Sequence, residues 1–477
     1  MEKAKQRINE LIEKKRVTFI EAADKIWETP ETRFAVEKSV QPFYDILEKE
    51  GFSIEKGLAD MDHSFVATYG SGKPVIGILA EYDALSNLSQ VADLGEQKAQ
   101  VPGGNGHACG HNLLGTGALA GAVGIKDYME ENNLSGTIKL FGCPAEESGY
   151  GKAYMARSGV FDDVDTALSW HPWDISGIWS ISSLAVYQIY YRFKGIAAHA
   201  AAAPEYGRSA LDAAELMNVG VQFLREHIID EGRVHYAFRD VGGDSANVVQ
   251  PSAELHYFIR APKIEQANEI FKRVTRIAEG AAWMTETELD IGFDSACYDY
   301  IPNQAISTVM QKNLEEYGNA NLTKEDQEYA QRYYDTLPDA TKEHLINRAK
   351  QVDPTLSDDD AKRLGSLPVS EQVMPLVFSD DTQGSTDVGD VSWICPTAQV
   401  FIGCEPQGTP AHSWQWAANG KSSVAHKGLI AAGKVIATTA YDLLTNPELI
   451  EKAKAEHQDV LNGKTYVSAI PEDVLPK

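Results

Sequence analysis

A chain of 477 residues is longer than one hydrophobic core usually supports, so two or three domains are expected, and 43% apolar residues supply ordinary globular cores. The formal charge of −26 argues against a nucleic-acid partner, because phosphate binding rests on clustered Lys and Arg. No run of about 18 apolar residues occurs, so no membrane-spanning helix is expected.

The first segment, MEKAKQRINELIEKKRVTFIEAADKIWETPET, has no apolar stretch of the kind that forms a signal-peptide core. Ile8, Leu11, Ile12, Ala23, Ile26 and Trp27 instead fall at helical spacing, and the helices should stop near Pro30. Five widely spaced cysteines make a poor disulfide framework and suit a reducing compartment. A soluble, cytoplasmic protein is the expectation.

Three short apolar runs follow: PVIGILA (74 to 80), TIKLFGC (137 to 143) and TALSW (166 to 170), with a helical stretch between the first two. A fourth, AQVFIGC, spans 398 to 404. The pattern predicts an α/β fold, a mostly parallel sheet flanked by helices. Each run is followed by polar residues: Glu81 and Asp83, Glu146 and Glu147, His171, and His412. Ligands of open α/β sheets bind beyond the carboxyl ends of the strands, so these side chains are expected to converge.

Between about 185 and 295 the texture changes to strand, helix, strand, helix, which reads as an inserted α+β module. The expected organisation is therefore a catalytic domain over 1–184, the module over 185–295, and the return of the catalytic domain over 296–477. Residues 316 to 380 are rich in charge, and read as a helical insertion that either covers the site, meets a partner or is simply solvated.

The stretch Asn105-Gly-His-Ala-Cys-Gly-His111 gathers three potential metal ligands in five residues. In an extended segment Cys109 and His111 point to one side, as two ligands of one ion must; His107 is left a structural role. A Cys-x-His pair alone is a weak signal, but Glu147 and His171 each follow a separate strand and complete a first-row transition-metal shell. In the Glu146-Glu147 pair one carboxylate can bind metal while the other stays free as a general base. A cysteine nucleophile beside a histidine base is the rival, and it leaves Glu147, His171 and His412 without a role.

HACGHN, PAEE, WHP, KGIAAHAA, NVVQ and STDVG, in this order over essentially the whole chain, resemble the co-catalytic metallopeptidases that include glutamate carboxypeptidases, aminoacylases and plant auxin-conjugate amidohydrolases. The resemblance implies metal ligands at Cys109, His111, Glu147, His171 and His412 for two divalent ions, manganese or zinc. It implies Glu146 as the base that activates water and passes the proton to the leaving amine. The inserted module resembles the family's dimerisation or lid domain, from which His199 would reach the site of the partner protomer. Asn247 and Arg260 are similar to substrate-binding residues, Arg208 is a second candidate carboxylate binder, and Asp83 is similar to a carboxylate that orients a ligand histidine.

The implied activity is hydrolysis of the amide of an N-acyl amino acid, p-aminobenzoyl-glutamate foremost. Rivals are other aromatic conjugates such as indole-acyl amino acids, a β-alanyl-lysine type of dipeptide, and a non-catalytic subunit. A homodimer is expected, with a heteromer of paralogous subunits as the alternative.

Overall fold

Four short, largely buried aliphatic runs form the centre of a seven-stranded sheet, and more polar strands extend it at both sides. In the computed structural model, which describes residues 2–379, 381–382 and 384–477, the strands are β1 (Ser53–Lys56), β2 (Phe65–Ser71), β3 (Val75–Glu81), β4 (Gly136–Cys143), β5 (Thr166–Trp173), β6 (Gly177–Ile178), β7 (Ala185–Lys194), β8 (Arg233–Asp240), β9 (Ser252–Ala261), β10 (Glu288–Cys297) and β11 (Thr397–Gly403). The larger sheet runs β1-β2-β4-β3-β5-β11-β6. Its central strands β4, β3, β5 and β11 are parallel, and β1, β2 and β6 are antiparallel additions at the two edges.

All seven residues of β3 are buried, which is why the run reads as continuous rather than alternating. The helix His111–Asn132 packs over this sheet, buried along most of its length. Its small residues allow the approach: a Cβ on Gly117 would come within 2.5 Å of the Trp170 ring. The helices Glu2–Lys14, Arg16–Glu28 and Ser423–Thr445 pack against it and close the core.

The smaller sheet is antiparallel in the order β10-β7-β9-β8. Along β9 every second residue is buried, and this face, with Leu255, Tyr257 and Ile259, packs on the helices Ala210–Leu224 and Ile264–Thr285. The other face carries His256, stacked on Tyr190, and Phe258 and Arg260, which line the cavity described below. The chain crosses between the sheets twice, side by side, where Ser183 Oγ accepts the Tyr300 N–H at 3.1 Å.

The charged stretch folds into the helices Lys324–Tyr334, Asp339–Val352 and Asp358–Gly365. They are fastened to the main body by the ion pair of Lys427 with Asp326, by Tyr329 Oη donating to Asp93 Oδ1 at 2.8 Å, and by Arg348 on Asp174 at 2.8 Å. No helix among the described residues is long and apolar enough to cross a membrane.

Candidate active site

The carboxyl ends of the four parallel strands open into a cavity of about 480 Å³. Glu81 is the last residue of β3, His171 lies near the end of β5, Glu146 and Glu147 sit in the turn after β4, and His412 is in the loop after β11. Cys109 sits just before the helix that begins at His111. The convergence expected from the sequence is present, although the local geometry differs from the extended segments expected there.

Cys109 and His111 are not in extended chain. Gly110 between them is left-handed (φ 77°) and opens the helix, and a Cβ there would come within 2.7 Å of the Pro172 ring. The bend, rather than strand alternation, turns both side chains inward. Glu146 and Glu147 likewise occupy a turn, which starts at Ala145 with φ 64° and is closed by the Tyr150 N–H donating to the Ala145 carbonyl at 2.6 Å.

His111 is fully buried and holds the centre. Its Nδ1 donates to Asp83 Oδ1 at 3.1 Å, and Asp83 Oδ2 accepts the Glu147 N–H, also at 3.1 Å, so one carboxylate positions two of the proposed ligands. Burial pushes the Asp83 carboxyl up, but the His111 hydrogen bond and charge prevail and lower it overall. His111 Nε2 has no hydrogen-bond partner and stands 3.3 Å from Glu81 Oε2 and 3.9 Å from oxygens of Glu146 and Glu147.

His171 donates Nδ1–H to the Pro172 carbonyl at 2.7 Å, which leaves Nε2 as the lone-pair nitrogen facing Cys109 Sγ at 3.4 Å. Burial and the neighbouring His111 hold His171 down to about 4, in the neutral form a ligand requires. His412, left-handed at φ 56°, donates its backbone N–H to the Ala108 carbonyl at 3.0 Å and brings Nε2 to 3.5 Å from Glu147 Oε2.

Three overlapping groups have donor atoms within 4.8 Å of one another: Cys109, His111 and His171; Cys109, Glu147 and His412; Glu81, His111 and Glu146. His111 Nε2 and Glu147 Oε1 are buried donor atoms without partners, and such atoms are costly unless something binds them. The donor set of thiol, imidazole and carboxylate therefore fits divalent cations. Burial raises the Glu146 carboxyl, and the nearby Glu81 and Glu147 raise it further.

Arg260 lines the cavity, donating to Ser385 Oγ and, through Nε, to His235 Nε2 at 3.3 Å, with its guanidinium 5.3 Å from the Phe258 ring centre. Arg208 does not line it: it forms an exposed ion pair with Glu286 at 2.8 Å. His199 and Asn247 are exposed and adjacent, linked by the Ala200 N–H donating to the Asn247 carbonyl at 2.9 Å, and neither lines the cavity of its own chain. His199 Nδ1 accepts the N–H groups of Ala201 and Ala202, each at 3.2 Å, which places the ring proton of a neutral imidazole on Nε2. His107 is buried with Nε2 on the Ile26 carbonyl at 3.1 Å. Of the nearby tryptophans, Trp173 and Trp179 line the cavity, whereas Trp170 is core, its indole N–H on the Leu114 carbonyl at 2.7 Å.

Two residues escape the sequence reading, Lys152 and Asp387. Lys152 is fully buried and lies 2.6 Å from both Glu81 Oε1 and Asp387 Oδ1, so Glu81, which in sequence is only the acid after a strand, is half of a buried ion pair. The signal available is a lysine inside a helix, Gly151–Arg157, whose first six residues are all buried.

Over residues 77–471 the chain matches the family described as peptidase family M20/M25/M40. It is 43% identical over 470 residues to a subunit of the p-aminobenzoyl-glutamate hydrolase of Escherichia coli (strain K12), covering 98% of each chain. It is 27% identical over 400 residues to the Xaa-Arg dipeptidase of Mus musculus, covering 81% of this chain and 75% of that one. Among solved structures, the aminobenzoyl-glutamate utilization protein from Klebsiella pneumoniae has a similar fold, with a TM-score of 0.55 at 18% identity over 89% of this chain and 98% of that one.

Proposed function

The chain belongs to peptidase family M20/M25/M40 and is a hydrolase of amide bonds, and we propose that it cleaves N-acyl amino acids, p-aminobenzoyl-glutamate foremost, to p-aminobenzoate and glutamate. The observation that carries the substrate is the identity to the Escherichia coli hydrolase, which extends along 98% of both chains. The cavity supports it chemically: an arginine fork at Arg260 suits the carboxylates of a glutamate product, and Trp173 suits an aryl ring. A substrate ending in arginine would instead place two cations together.

Cys109, His111, Glu147, His171 and His412 would hold two divalent ions, zinc by ligand softness or manganese, which when bound supply Lewis acidity and a more acidic attacking water. Glu146 takes the proton of that water as its oxygen adds to the amide carbonyl. It then gives the proton to the amine nitrogen as the C–N bond breaks, so the products are a carboxylic acid and an amine. Asp83 keeps His111 and Glu147 in place through both steps.

We assign residues 185–295 as a dimerisation and lid domain. Its helix Ala210–Leu224 leaves Val219 and Phe223 54% and 72% exposed, and the edge strand β8 carries exposed Tyr236 and Phe238, a surface that a second copy of the chain would cover. Across that interface His199 would offer its Nε2–H to the developing oxyanion, with Asn247 beside it. Arg208 stays the weaker candidate for substrate binding. A homodimer is the simplest assembly, and because the Escherichia coli relative is named as one subunit of its hydrolase, a paralogous partner is the alternative. Five cysteines, all free thiols, agree with a cytoplasmic setting.

The test is release of p-aminobenzoate and glutamate by the purified protein, with added manganese or zinc and with a chelator control. Metal-dependent release supports the reading. No release from metal-loaded dimer, with turnover of another N-acyl amino acid, moves the substrate but not the chemistry.

A further inference from the structure

Next to the proposed substrate cavity lies a second one of about 500 Å³. The two share Trp173, Trp179 and Gly384 as walls, so the second adjoins the place where an acyl group would lie. Its lining is mostly apolar, with Ile178, Met374, Val377 and Phe401 among it, and Trp179 stacks on Phe401 with ring centres 5.0 Å apart.

The remaining wall comes from the charged insertion. Arg348, Gln351 and Val352 of the helix Asp339–Val352 line the chamber. Arg348 is not a free cation there: Nη1 sits on both Asp174 oxygens at 2.8 and 3.0 Å, and Nη2 donates to Gln407 at 3.1 Å. Among the described residues no carboxylate lines the chamber, and the one charged lining side chain among them, Arg348, is paired.

The segment after the helix Asp358–Gly365 is stitched to the edge of the larger sheet and to the crossover between the sheets. Met374 N–H donates to the Ser176 carbonyl at 2.8 Å, and Leu184 N–H to the Gly384 carbonyl at 2.9 Å. Even so, Met374 and Val377 remain 40% and 59% exposed while lining the chamber. Backbone hydrogen bonds thus fix the segment that carries this wall of the chamber. The first cavity already has the size that suits one drug-sized ligand, so the chamber is surplus to a substrate with a single aryl ring.

We propose that this chamber receives an uncharged aromatic extension of the acyl group, so that the enzyme also accepts N-acyl amino acids whose acyl part continues past the first ring, and favours such an extension over a bare benzoyl ring. The inference rests on the amidohydrolase reading of the first cavity. It gives the insertion a role: its Arg348–Asp174 pair sets the floor of an acyl-tail site.

The experiment compares N-benzoyl-glutamate with N-(4-phenylbenzoyl)-glutamate in the metal-loaded enzyme, and repeats both with Met374→Trp, which fills the chamber. The ratio of kcat/KM, extended over short, should be at least about tenfold in the unaltered protein and fall toward one in the variant. A ratio of one or below in the unaltered protein, or an unchanged ratio in the variant, overturns the proposal. If neither compound is hydrolysed, the aroyl-glutamate reading of the substrate fails separately, and calorimetric binding of biphenyl-4-carboxylate against benzoate decides the chamber. Tighter binding of the longer acid that Met374→Trp removes upholds it, and equal or absent binding overturns it.

Discussion

The ammonium of Lys152 lies 2.6 Å from Oε1 of Glu81, with 0% and 3% of the two side chains exposed. Lys152 also holds Asp387 at 2.6 Å, and its own backbone N–H donates to the other Asp387 oxygen at 2.8 Å. One buried cation thus serves two buried anions, and through Glu81 it reaches His111. Removing it as Lys152→Met leaves both acids without a counter-ion, and the expected loss is about 3–5 kcal/mol of stability. Urea unfolding measures it; adding Asp387→Asn should recover part of the loss. A Lys152→Met protein as stable as the unaltered one would show that the network contributes nothing.

Glu146→Gln should lower turnover by at least about a hundredfold, since general acid–base groups contribute on the order of 10²–10⁴. Metal content, read by elemental analysis, should stay the same, because the proposed ligands are untouched. Turnover at the original level would remove Glu146 from the role of base, and loss of metal would make it a ligand.

His199→Ala should be inactive as a homodimer. Mixed with Glu146→Gln under verified exchange of protomers, it should regain part of the activity, because the hybrid dimer contains one site with both groups intact. Absence of rescue would confine His199 to its own protomer or to a structural role.

Asp390 is buried, accepts from Tyr466 Oη at 2.7 Å and the Tyr298 N–H at 3.1 Å, and is pushed up to about 7 by burial, against the lowering effect of those hydrogen bonds. Its folded-state pKa lies above the ordinary 3.8. Between those values the folded protein keeps a proton that the unfolded chain has lost, so this group's contribution to stability falls as pH rises from about 4 to 7 and then levels. Asp390→Asn, never charged, should lack that decline. Relative to the variant, the unaltered protein should lose about 2 kcal/mol between pH 5 and 7, at roughly 1.4 kcal/mol per unit. Parallel urea profiles across this range would rule the titration out.

Much of the frame is legible because buried parallel strands are continuous aliphatic runs: those at 74–80, 137–143, 166–170 and 398–404 are β3, β4, β5 and β11. The two-residue β6 carries no pattern of its own and exists only through pairing with β11. The helix 37–49 does carry helical spacing at Val40, Phe43, Tyr44 and Leu47, which the strand-centred reading passes over, whereas β1 and the neighbouring β2 are short and mixed in polarity. At the site, residue types point to Cys109, His111, Glu147 and His171, but the backbone that turns them inward is a left-handed glycine and a turn, which alternation rules do not describe. Lys152 and Asp387 lie 235 residues apart, and nothing local in either predicts the other.

Strand β11 lies between β5 and β6, though about 220 residues separate it from them in the chain. During synthesis at about 5–20 residues per second, roughly 20–80 s pass before β11 emerges. Until then β5 has a bare edge, the helix Ser423–Thr445 is missing from the back of the sheet, and the loop bearing His412 has not been made. The cluster around His111 is thus a late product of translation, and a chain stopped short of residue 412 presents the Cys109 thiol without the loop that His412 pins to Ala108.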